Sequence, residues 1–376
     1  MSATREIIKS IIFRDRDQHG IPALDGAYTP NNRLETMRSL GLDLVEPDEI
    51  ASDGGGGLFV TSASELLHVA DPASGKAAQV ADFEAPLTAL TRLANGSLVV
   101  AVNGGGLRHL DPSGRLLGRL DELDGVPLRC VTAVTEDPQA GGVYFTVGST
   151  AYAADDWIWD LMNRNRKGLL AHWSLERGAA VVLLEGLAYA NGVAVEPSGY
   201  VVFTQSWSHT LARTREPGER GRQPGYEVLI GNMPGYPARI HPAAGGGYWL
   251  AVFAMRTQLI ELVLREETYK REMMRCVEPE LWVRPALRTL GSHLEPLQGG
   301  GIKKLGIRKP WAPPRSYGLV VRLDQAYEPV ESLQSRVDGT NHGVVAAHDI
   351  NGTLTVVCKG NHCLLVQDPE SEGGQQ

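Results

Sequence analysis

Short apolar runs separated by turn-forming residues recur along the whole chain. The stretch Tyr189 to Ser206, YANGVAVEPSGYVVFTQS, shows the unit: an apolar run, a Pro-Ser-Gly turn and a second apolar run. Runs of this length, bounded by glycine and proline, are typical of short β-strands. Similar stretches begin at Pro47, Pro86, Pro127, Tyr189, Gly235 and Thr340. The pattern therefore predicts six copies of a unit of three or four strands.

The spacing of the copies indicates how they are arranged. Their first apolar positions are Ile50, Leu90, Val134, Val193, Ile240 and Val344. Most of the steps are near the period of about 40 to 50 residues expected for a propeller blade. The two long steps contain insertions, at residues 151–167 and 265–314. We therefore predict an all-β fold, a six-bladed β-propeller at residues 47–376, with a lead-in segment at 1–46 and the insertions as short helical lids over the channel mouth. A ring protects its sheet edges, and a β-sandwich would not need six similar units.

Composition and charge narrow the possible partners. The chain has 376 residues, 43% of them hydrophobic, and a net charge of −8, so nothing supplies the basic face that nucleic acid needs. The four cysteines lack the spacing of a zinc module. The apolar run near the N-terminus carries charges and is too short for a signal peptide or a membrane span. We expect a cytoplasmic protein that acts on a small molecule, without a nucleic-acid or membrane partner.

One position in each copy predicts where a site lies. In a propeller the first strand of each blade lines the central channel, so the residue two before its first apolar position should reach the channel mouth. These residues are Asp48, Thr88, Thr132, Asn191, Ala238 and His342. Five of them are polar, which suits a binding pocket better than a packed core. The structural alternative is that they cap strand ends and bind channel waters.

Several longer motifs carry a family resemblance. GLLAHWSLERGAAVVLLEGLAYANGVAVEPSGYVVFTQS, IGNMPGYPARI, GGYWLAV and PRSYGLVVRLDQAYEPVESLQ resemble the strictosidine synthase-like proteins. That group belongs to a superfamily of six-bladed propellers with gluconolactonase, regucalcin and the paraoxonases. The resemblance extends from about Pro47 to Pro369 and implies the same fold.

The resemblance also implies a metal site that this sequence keeps only in part. Lactonase-type relatives hold a divalent metal, commonly calcium, at the channel mouth with a first-blade Glu, middle-blade Asn side chains and a fifth-blade Asp. Here Asn191 matches, and Asp48, with Glu49 beside it, stands where the first-blade acid belongs. The third blade has Thr132 in place of Asn, and the fifth reads GYPAR where relatives read GYPDN. We therefore expect no metal cofactor; if Ca²⁺ does bind, Asp48 and Asn191 are its ligands.

His342 is the residue from which we infer a reaction. In strictosidine synthase a catalytic Glu opens the inner strand of the last blade, and here either His342 or, aligned from the following turn, Val345 takes its place. Histidine can act as a general base near neutral pH, and Asp48 could orient it. A satisfied polar group at a strand start is the alternative role. Asn191 could polarise a substrate carbonyl.

The remaining site residues are assigned to substrate binding. They are Arg239, Arg129, Thr132, Tyr236, Thr88 and Glu49, of which the two arginines suit a carboxylate or an oxyanion. We expect hydrolysis of a lactone or ester with His342 as general base. The alternatives are a strictosidine synthase-type cyclase or lyase with a replaced base, and a propeller that binds a ligand without catalysis.

Overall fold

The computed structural model of the chain describes residues 20–215, 225–290, 303–304, 307–308 and 315–367. Six four-stranded antiparallel sheets follow one another in this part of the chain. The inner strand of each sheet contacts the inner strands of the two neighbouring sheets, and the sixth also contacts the first. The sheets are thus six blades around a central channel, and the predicted six-bladed β-propeller is confirmed.

The first three blades are formed by consecutive strands. Blade one has Ile50–Ser52, Leu58–Ser62, Glu65–Val69 and Ala78–Asp82. Blade two has Leu87–Arg92, Leu98–Val102, Gly106–Leu110 and Leu116–Leu120. Blade three has Val131–Glu136, Val143–Val147, Gly168–Ser174 and Ala179–Leu187. A small hairpin, Glu122–Leu123 with Val126–Pro127, precedes blade three.

The last three blades complete the ring. Blade four has Ala190–Val195, Val201–Gln205, Thr210–Thr214 and Tyr226–Ile230. Blade five has Gly235–Pro242, Tyr248–Met255, Gly318–Leu323 and Pro329–Ser335. Blade six has Val344–Ile350, Thr353–Cys358 and Cys363–Val366, with Arg38–Ser39 as its outer strand.

The outer strand of blade six shows how the ring closes. Arg38 and Ser39 pair antiparallel with Val366 and Leu365. A strand that precedes blade one in the sequence therefore covers the outer edge of blade six. Such pairing removes an exposed strand edge. The predicted boundary at residue 46 is therefore too late. The lead-in also contributes the 3₁₀ turns Gly26–Tyr28 and Arg33–Thr36, which contact the outer strand of blade five; its residues 1–19 lie outside the described part of the chain.

The second strands explain why the apolar runs are nearly continuous. Every residue of Leu98–Val102, Val143–Val147 and Val201–Gln205 is buried. A blade inside a ring is covered on both faces by its neighbours, so alternation of apolar and polar residues is lost. The core therefore lies between blades, and the inner strands are left to line the channel.

A β-bulge interrupts the inner strand in five of the blades. The pairing register shifts around Thr88, Thr132, Asn191 and Val345, and in blade five between Pro237 and Ile240. A bulge adds one residue that has no partner across the ladder and re-aims its side chain. In blade one, the pairing of the first strand with the second places Asp48 at the position equivalent to these bulge residues.

Both insertions join the second and third strands of their blades. Blade three carries the 3₁₀ turn Ala154–Asp156 and helix α1, Trp157–Met162. Blade five carries α2, Gln258–Arg265, and α3, Glu267–Cys276, followed by the 3₁₀ turn Pro279–Leu281. Thr257 caps α2 by accepting a hydrogen bond from the Ile260 N–H. The fifth-blade insertion includes the short pair Lys303–Lys304 and Ile307–Arg308, while residues 291–302, 305–306 and 309–314 lie outside the described residues.

The helices of the described residues are short. Among them, none is long and apolar enough to cross a membrane.

Candidate active site at the channel mouth

A cavity of about 340 Å³ opens where the inner strands begin. Its volume is in the range of pockets that hold small organic molecules. Its floor holds one residue from each blade, namely Asp48, Thr88, Thr132, Asn191, Ala238 and Val345, and Arg239 beside them. Its walls come from the two insertions and from the turns between second and third strands. The bulges thus bring together residues that are far apart in the sequence.

The structure contradicts the predicted place of His342. The imidazole is buried, with Nδ1 2.9 Å from Ser316 Oγ and Nε2 2.7 Å from the Arg336 carbonyl oxygen. It is not among the residues that line the cavity. The reason is register: Ala346 pairs with Val357 after the bulge, so Val345 is the residue at the mouth and His342 precedes the strand. The alternative alignment, from the turn that follows, gave the correct position.

Asp48 is held from two sides on the cavity floor. One carboxylate oxygen accepts a hydrogen bond from Arg239 Nη2, and the other accepts one from Lys359 Nζ. The Asp48 N–H donates to Thr61 Oγ1 at 3.1 Å, which fixes the backbone before the first strand. Asp48 is therefore an ionised group that faces the cavity with two cations against it.

Arg239 reaches across the channel from blade five to blade one. Nη1 donates to the Asp48 carbonyl at 3.1 Å and to the Val345 carbonyl at 3.4 Å, while Nη2 donates to the Thr88 carbonyl and the Asp48 carboxylate. Nε lies 3.1 Å from Glu49 Oε2. Burial opposes the charge, but Asp48 and Glu49 outweigh it and raise the pKa of Arg239. Because the buried guanidinium donates from Nη1 and Nη2 to protein oxygens, Arg239 is poorly placed for the predicted role of binding substrate.

The shell around Arg239 also tests the metal that the family resemblance implies. Calcium needs a set of six to eight oxygen ligands with carboxylate charge. The carboxylate of Asp48 and the carbonyls of Asp48, Thr88 and Val345 are oxygen ligands of this kind, at most five in number, but they surround the Arg239 guanidinium. The residues therefore do not fit calcium at the mouth, since a buried organic cation already takes these oxygens.

Three polar floor residues are bonded within the protein. Thr88 Oγ1 donates to the Val131 carbonyl at 2.7 Å, and Thr132 Oγ1 donates to the Ala190 carbonyl at 2.7 Å. Asn191 Nδ2 donates to Ser206 Oγ at 3.0 Å. The two threonines link each bulge to the next blade, so they shape the floor, and the partly exposed Asn191 is the polar floor residue most accessible to a ligand.

Three other predicted site residues lie outside the cavity lining. Tyr236 is fully buried beside Trp207 and His209, and burial raises the pKa of its hydroxyl well above the ordinary value. Arg129 is exposed on the surface. Glu49 is buried, and its carboxylate turns to the histidines of blades five and six. None of the three lines the cavity, so the structure does not place them where they would contact a ligand bound there.

One wall of the cavity is aromatic. Trp157 of α1 and Trp207 have ring centroids 6.1 Å apart, and Tyr189 packs on Trp207 at 4.3 Å. Phe253 meets Trp157 edge to face at 5.6 Å. The Trp207 indole donates to Asp160 Oδ1 at 2.7 Å, which fixes its ring. The result is an aromatic wall of tightly packed rings above the floor.

The wall supplied by the fifth-blade insertion is basic. Arg284 donates from Nε to the Pro279 carbonyl at 2.8 Å, and Arg315 donates from Nη2 to the Glu280 carbonyl. Burial, and then the charge of Arg315, lower the pKa of Arg284 to about 10. The guanidinium of Arg284 also lies 5.9 Å from the ring centroid of Trp157. An anion between the basic and aromatic walls would reduce the electrostatic repulsion between Arg284 and Arg315.

Sequence reasoning missed the basic residues of the walls. Lys359 is at the tip of the second hairpin of blade six, and Arg284 and Arg315 lie in an insertion without periodic pattern. The Gly-Asn pair that follows Lys359 marks a turn, and turns between second and third strands lie at the mouth. That position was the available signal for Lys359.

Comparisons with known proteins agree with the fold. The family model described as strictosidine synthase matches residues 132–214, a stretch that contains Thr132, α1 and Asn191. An adipocyte plasma membrane-associated protein of Salmo salar is 28% identical over 264 residues, which are 62% of this chain and 60% of that protein. Protein STRICTOSIDINE SYNTHASE-LIKE 4 of Arabidopsis thaliana is 30% identical over 173 residues, 46% of this chain and 45% of that protein. The matches thus span less than two thirds of either relative.

A solved structure extends the comparison to most of the chain. A gluconolactonase of Xanthomonas campestris superposes with a TM-score of 0.56, covering 89% of this chain and 90% of that one. The two sequences are 12% identical, so the similarity shows a common fold. The sequence matches show that the chain is similar to the strictosidine synthase-like proteins, and the structural match shows that it has the fold of the gluconolactonase.

Proposed function

We propose that the chain is a small-molecule enzyme that hydrolyses an ester or lactone in the cavity at the channel mouth. The observation that carries the proposal is the contact between Lys359 and Asp48 on the cavity floor, between an aromatic and a basic wall. An ionised acid and an ammonium group that touch within a cavity of this size can move a proton and stabilise an oxyanion together.

The walls support a particular class of substrate. Arg284 and Arg315 would favour an acidic group, because a carboxylate between two guanidinium groups lowers their mutual repulsion. The rings of Trp157 and Trp207 would favour a flat apolar body next to it. We therefore propose an amphipathic carboxylic acid that carries the ester or lactone at its other end, over Asp48.

The chemistry of the proposal uses groups that differ from the predicted His342. Asp48 takes a proton from water as the water oxygen bonds to the substrate carbonyl carbon. Lys359 Nζ donates a hydrogen bond to the oxyanion that forms, and Asn191 lies beside it. The C–O bond to the leaving alcohol then breaks, and the proton held by Asp48 passes to that alcohol oxygen. Atoms balance with water as the only co-reactant.

Covalent catalysis by cysteine has little support at this site. Cys130 is fully buried, and burial raises the pKa of its thiol to about 12. A thiol with that pKa is almost entirely protonated at neutral pH and is a poor nucleophile. Direct attack by water is therefore the route that we propose.

The test pairs two substrates with two substitutions. An aryl ester that carries a carboxylate should be hydrolysed with a larger kcat/KM than its neutral methyl-ester analogue. Lys359→Met should lower kcat by roughly 100-fold, as for other lost oxyanion donors, with Lys359→Arg retaining part of the activity. Arg284→Met should raise KM for the carboxylated ester and leave the neutral one unchanged. Equal kcat in wild type and Lys359→Met would overturn the proposed chemistry.

Ligand binding without catalysis is the second candidate. The observation in its favour is that Arg239 on the floor donates its Nη1 and Nη2 hydrogen bonds to the protein, so they are not available to a substrate. Saturable binding of the carboxylated ester, weakened by Arg284→Met and accompanied by no product, would establish this candidate and exclude the enzyme.

A further inference from the structure

A second group of chemically active side chains lies outside the mouth cavity. Glu49 precedes the inner strand of blade one, His241 is on the inner strand of blade five, and His348 is on the inner strand of blade six. None of them lines the mouth cavity. Pairing with the second strands shows that His241 and His348 come three residues after the mouth positions Ala238 and Val345. The three side chains therefore meet further along the channel, past Arg239.

Their nitrogen and oxygen atoms converge. His348 Nε2 lies 2.7 Å from Glu49 Oε1, and His241 Nε2 lies 3.4 Å from Glu49 Oε2. One ligand atom from each of the three residues can be chosen so that all lie within 4.8 Å of one another. Zinc binds imidazole nitrogen and carboxylate oxygen at about 2.0 to 2.2 Å, which brings its ligand atoms to roughly 3.5 Å from one another. Small side-chain rotations would suffice to reach that geometry.

The geometry of the two rings suits a metal better than a network of charged histidines. The rings of His241 and His348 face each other with centroids 3.5 Å apart, so two imidazolium ions would repel strongly. His241 Nε2 is buried and makes no hydrogen bond with suitable geometry. Histidine binds a metal as a neutral imidazole, through the lone pair of a ring nitrogen that carries no proton.

The surroundings of Glu49 support the same conclusion. Glu49 Oε1 accepts a hydrogen bond from the Ile50 N–H at 3.0 Å, and Arg239 Nε is 3.1 Å from Oε2. Metal-binding carboxylates are commonly held by such outer contacts, which fix their orientation. Arg239 would thus bind Asp48 at the mouth through Nη2 and orient the Glu49 carboxylate through Nε.

We propose that Glu49, His241 and His348 bind a divalent transition metal ion, with zinc as the representative. Two imidazole nitrogens and one carboxylate oxygen suit zinc and its neighbours rather than calcium, which prefers oxygen. Three protein ligands leave at least one position for a water of the channel, and both imidazoles are partly reachable, with 16% and 17% of their side chains exposed. The ion would join blades five, six and one, the side of the ring where the chain closes on itself.

The test is zinc titration of chelator-treated protein by calorimetry. Wild type should bind one equivalent of zinc and show a higher Tm with it, since a ligand that binds only the folded state stabilises it. Cobalt in its place should give visible absorption bands of a site with nitrogen ligands. His241→Ala and His348→Ala should each lose the zinc heat and the rise in Tm.

Two control variants distinguish this site from other side chains that could bind zinc. His362→Ala removes a histidine that lines the mouth cavity, and Cys358→Ser removes a buried thiol; both should bind zinc as wild type does. Folding of each variant is checked by its urea midpoint, and His348→Asn replaces His348→Ala if that variant fails to fold. The proposal is overturned if wild type binds no zinc at micromolar concentrations, or if folded His241→Ala and His348→Asn bind it unchanged.

Discussion

Arg239 binds the carboxylate of Asp48 across the channel, joining blade five to blade one at the mouth. The side chains are 5% and 8% exposed, so both charges are largely removed from water. Each compensates the burial of the other, and Glu49 and Lys359 extend the pair to four charged groups. The same contacts explain why the mouth does not fit calcium and why the cavity floor is rigid.

Substitution of Arg239 should therefore destabilise the protein strongly. Arg239→Met leaves the Asp48 and Glu49 carboxylates buried without their guanidinium partner, and breaking a buried ion pair in this way typically costs about 3–5 kcal/mol. Urea denaturation of wild type and variant measures the difference in the free energy of unfolding.

A surface ion pair provides the matched control. Arg33 and Glu331 form an ion pair of 2.6 Å with side chains 44% and 41% exposed. Arg33→Met should change the free energy of unfolding by only about 0–1 kcal/mol. Equal effects of Arg239→Met and Arg33→Met would show that the pair at the mouth contributes no more than a surface pair.

Restoring the fifth-blade motif of the metal-binding relatives should restore calcium binding. In Ala238→Asp with Arg239→Asn, the guanidinium is gone, and a new carboxylate joins Asp48 and Asn191 around the vacated oxygens. Calorimetry should then detect one calcium ion, whereas wild type and Ala238→Asp alone should give no heat. Calcium binding by wild type, abolished in Asn191→Ala, would contradict the conclusion that Arg239 excludes the metal.

The number of blades and most of the floor could be predicted from the sequence because both follow from a repeating pattern. Thr88, Thr132 and Asn191 occupy equivalent positions in three similar strands, so aligning the strands identifies all three. Aligning the sixth copy on Val344 as its first apolar position places the strand three residues too early. Pattern alone did not show that Val345, and not His342, occupies the bulge.

The walls could not be predicted in the same way. Arg284 and Arg315 are separated by 30 residues of the insertion, and their proximity depends on how that segment folds over the ring. Lys359 reaches Asp48 because blade six closes against blade one, which is a property of the ring and not of either strand. Contacts between repeats decide the charge of the site, and a repeat pattern does not contain them.

His342 should prove to be a structural residue. His342→Ala removes contacts to Ser316 and to the Arg336 carbonyl inside the protein, and the loss of buried hydrogen bonds should cost about 1–3 kcal/mol. The kcat for the carboxylated aryl ester should remain close to that of wild type, because His342 does not line the cavity. Urea denaturation and steady-state kinetics on the same preparation measure both quantities. A large loss of kcat with unchanged stability would return His342 to the active site.

His241 and Glu49, further along the channel, should make the free energy of unfolding decrease at low pH. The folded-state pKa of His241 is lowered to about 4, by burial and then by His348, whereas the unfolded chain takes up that proton near pH 6.5. The unfolded state thus binds more protons between these values, so the free energy of unfolding should decrease from about pH 6.5 to pH 4 and be flat above. Glu49 adds a further loss below about pH 4: burial raises its pKa, but His241 and His348 outweigh burial and hold it well below the ordinary value.

Substitution separates the two contributions. His241→Gln should remove up to about 3 kcal/mol of the decrease between pH 6.5 and pH 4 and leave the loss at lower pH in place, although smaller, because one partner of Glu49 is gone. The measurement is urea unfolding at a series of pH values with EDTA present, so that bound metal does not contribute. If wild type and His241→Gln lose stability with the same slope above pH 4, His241 is not a neutral group in the folded protein.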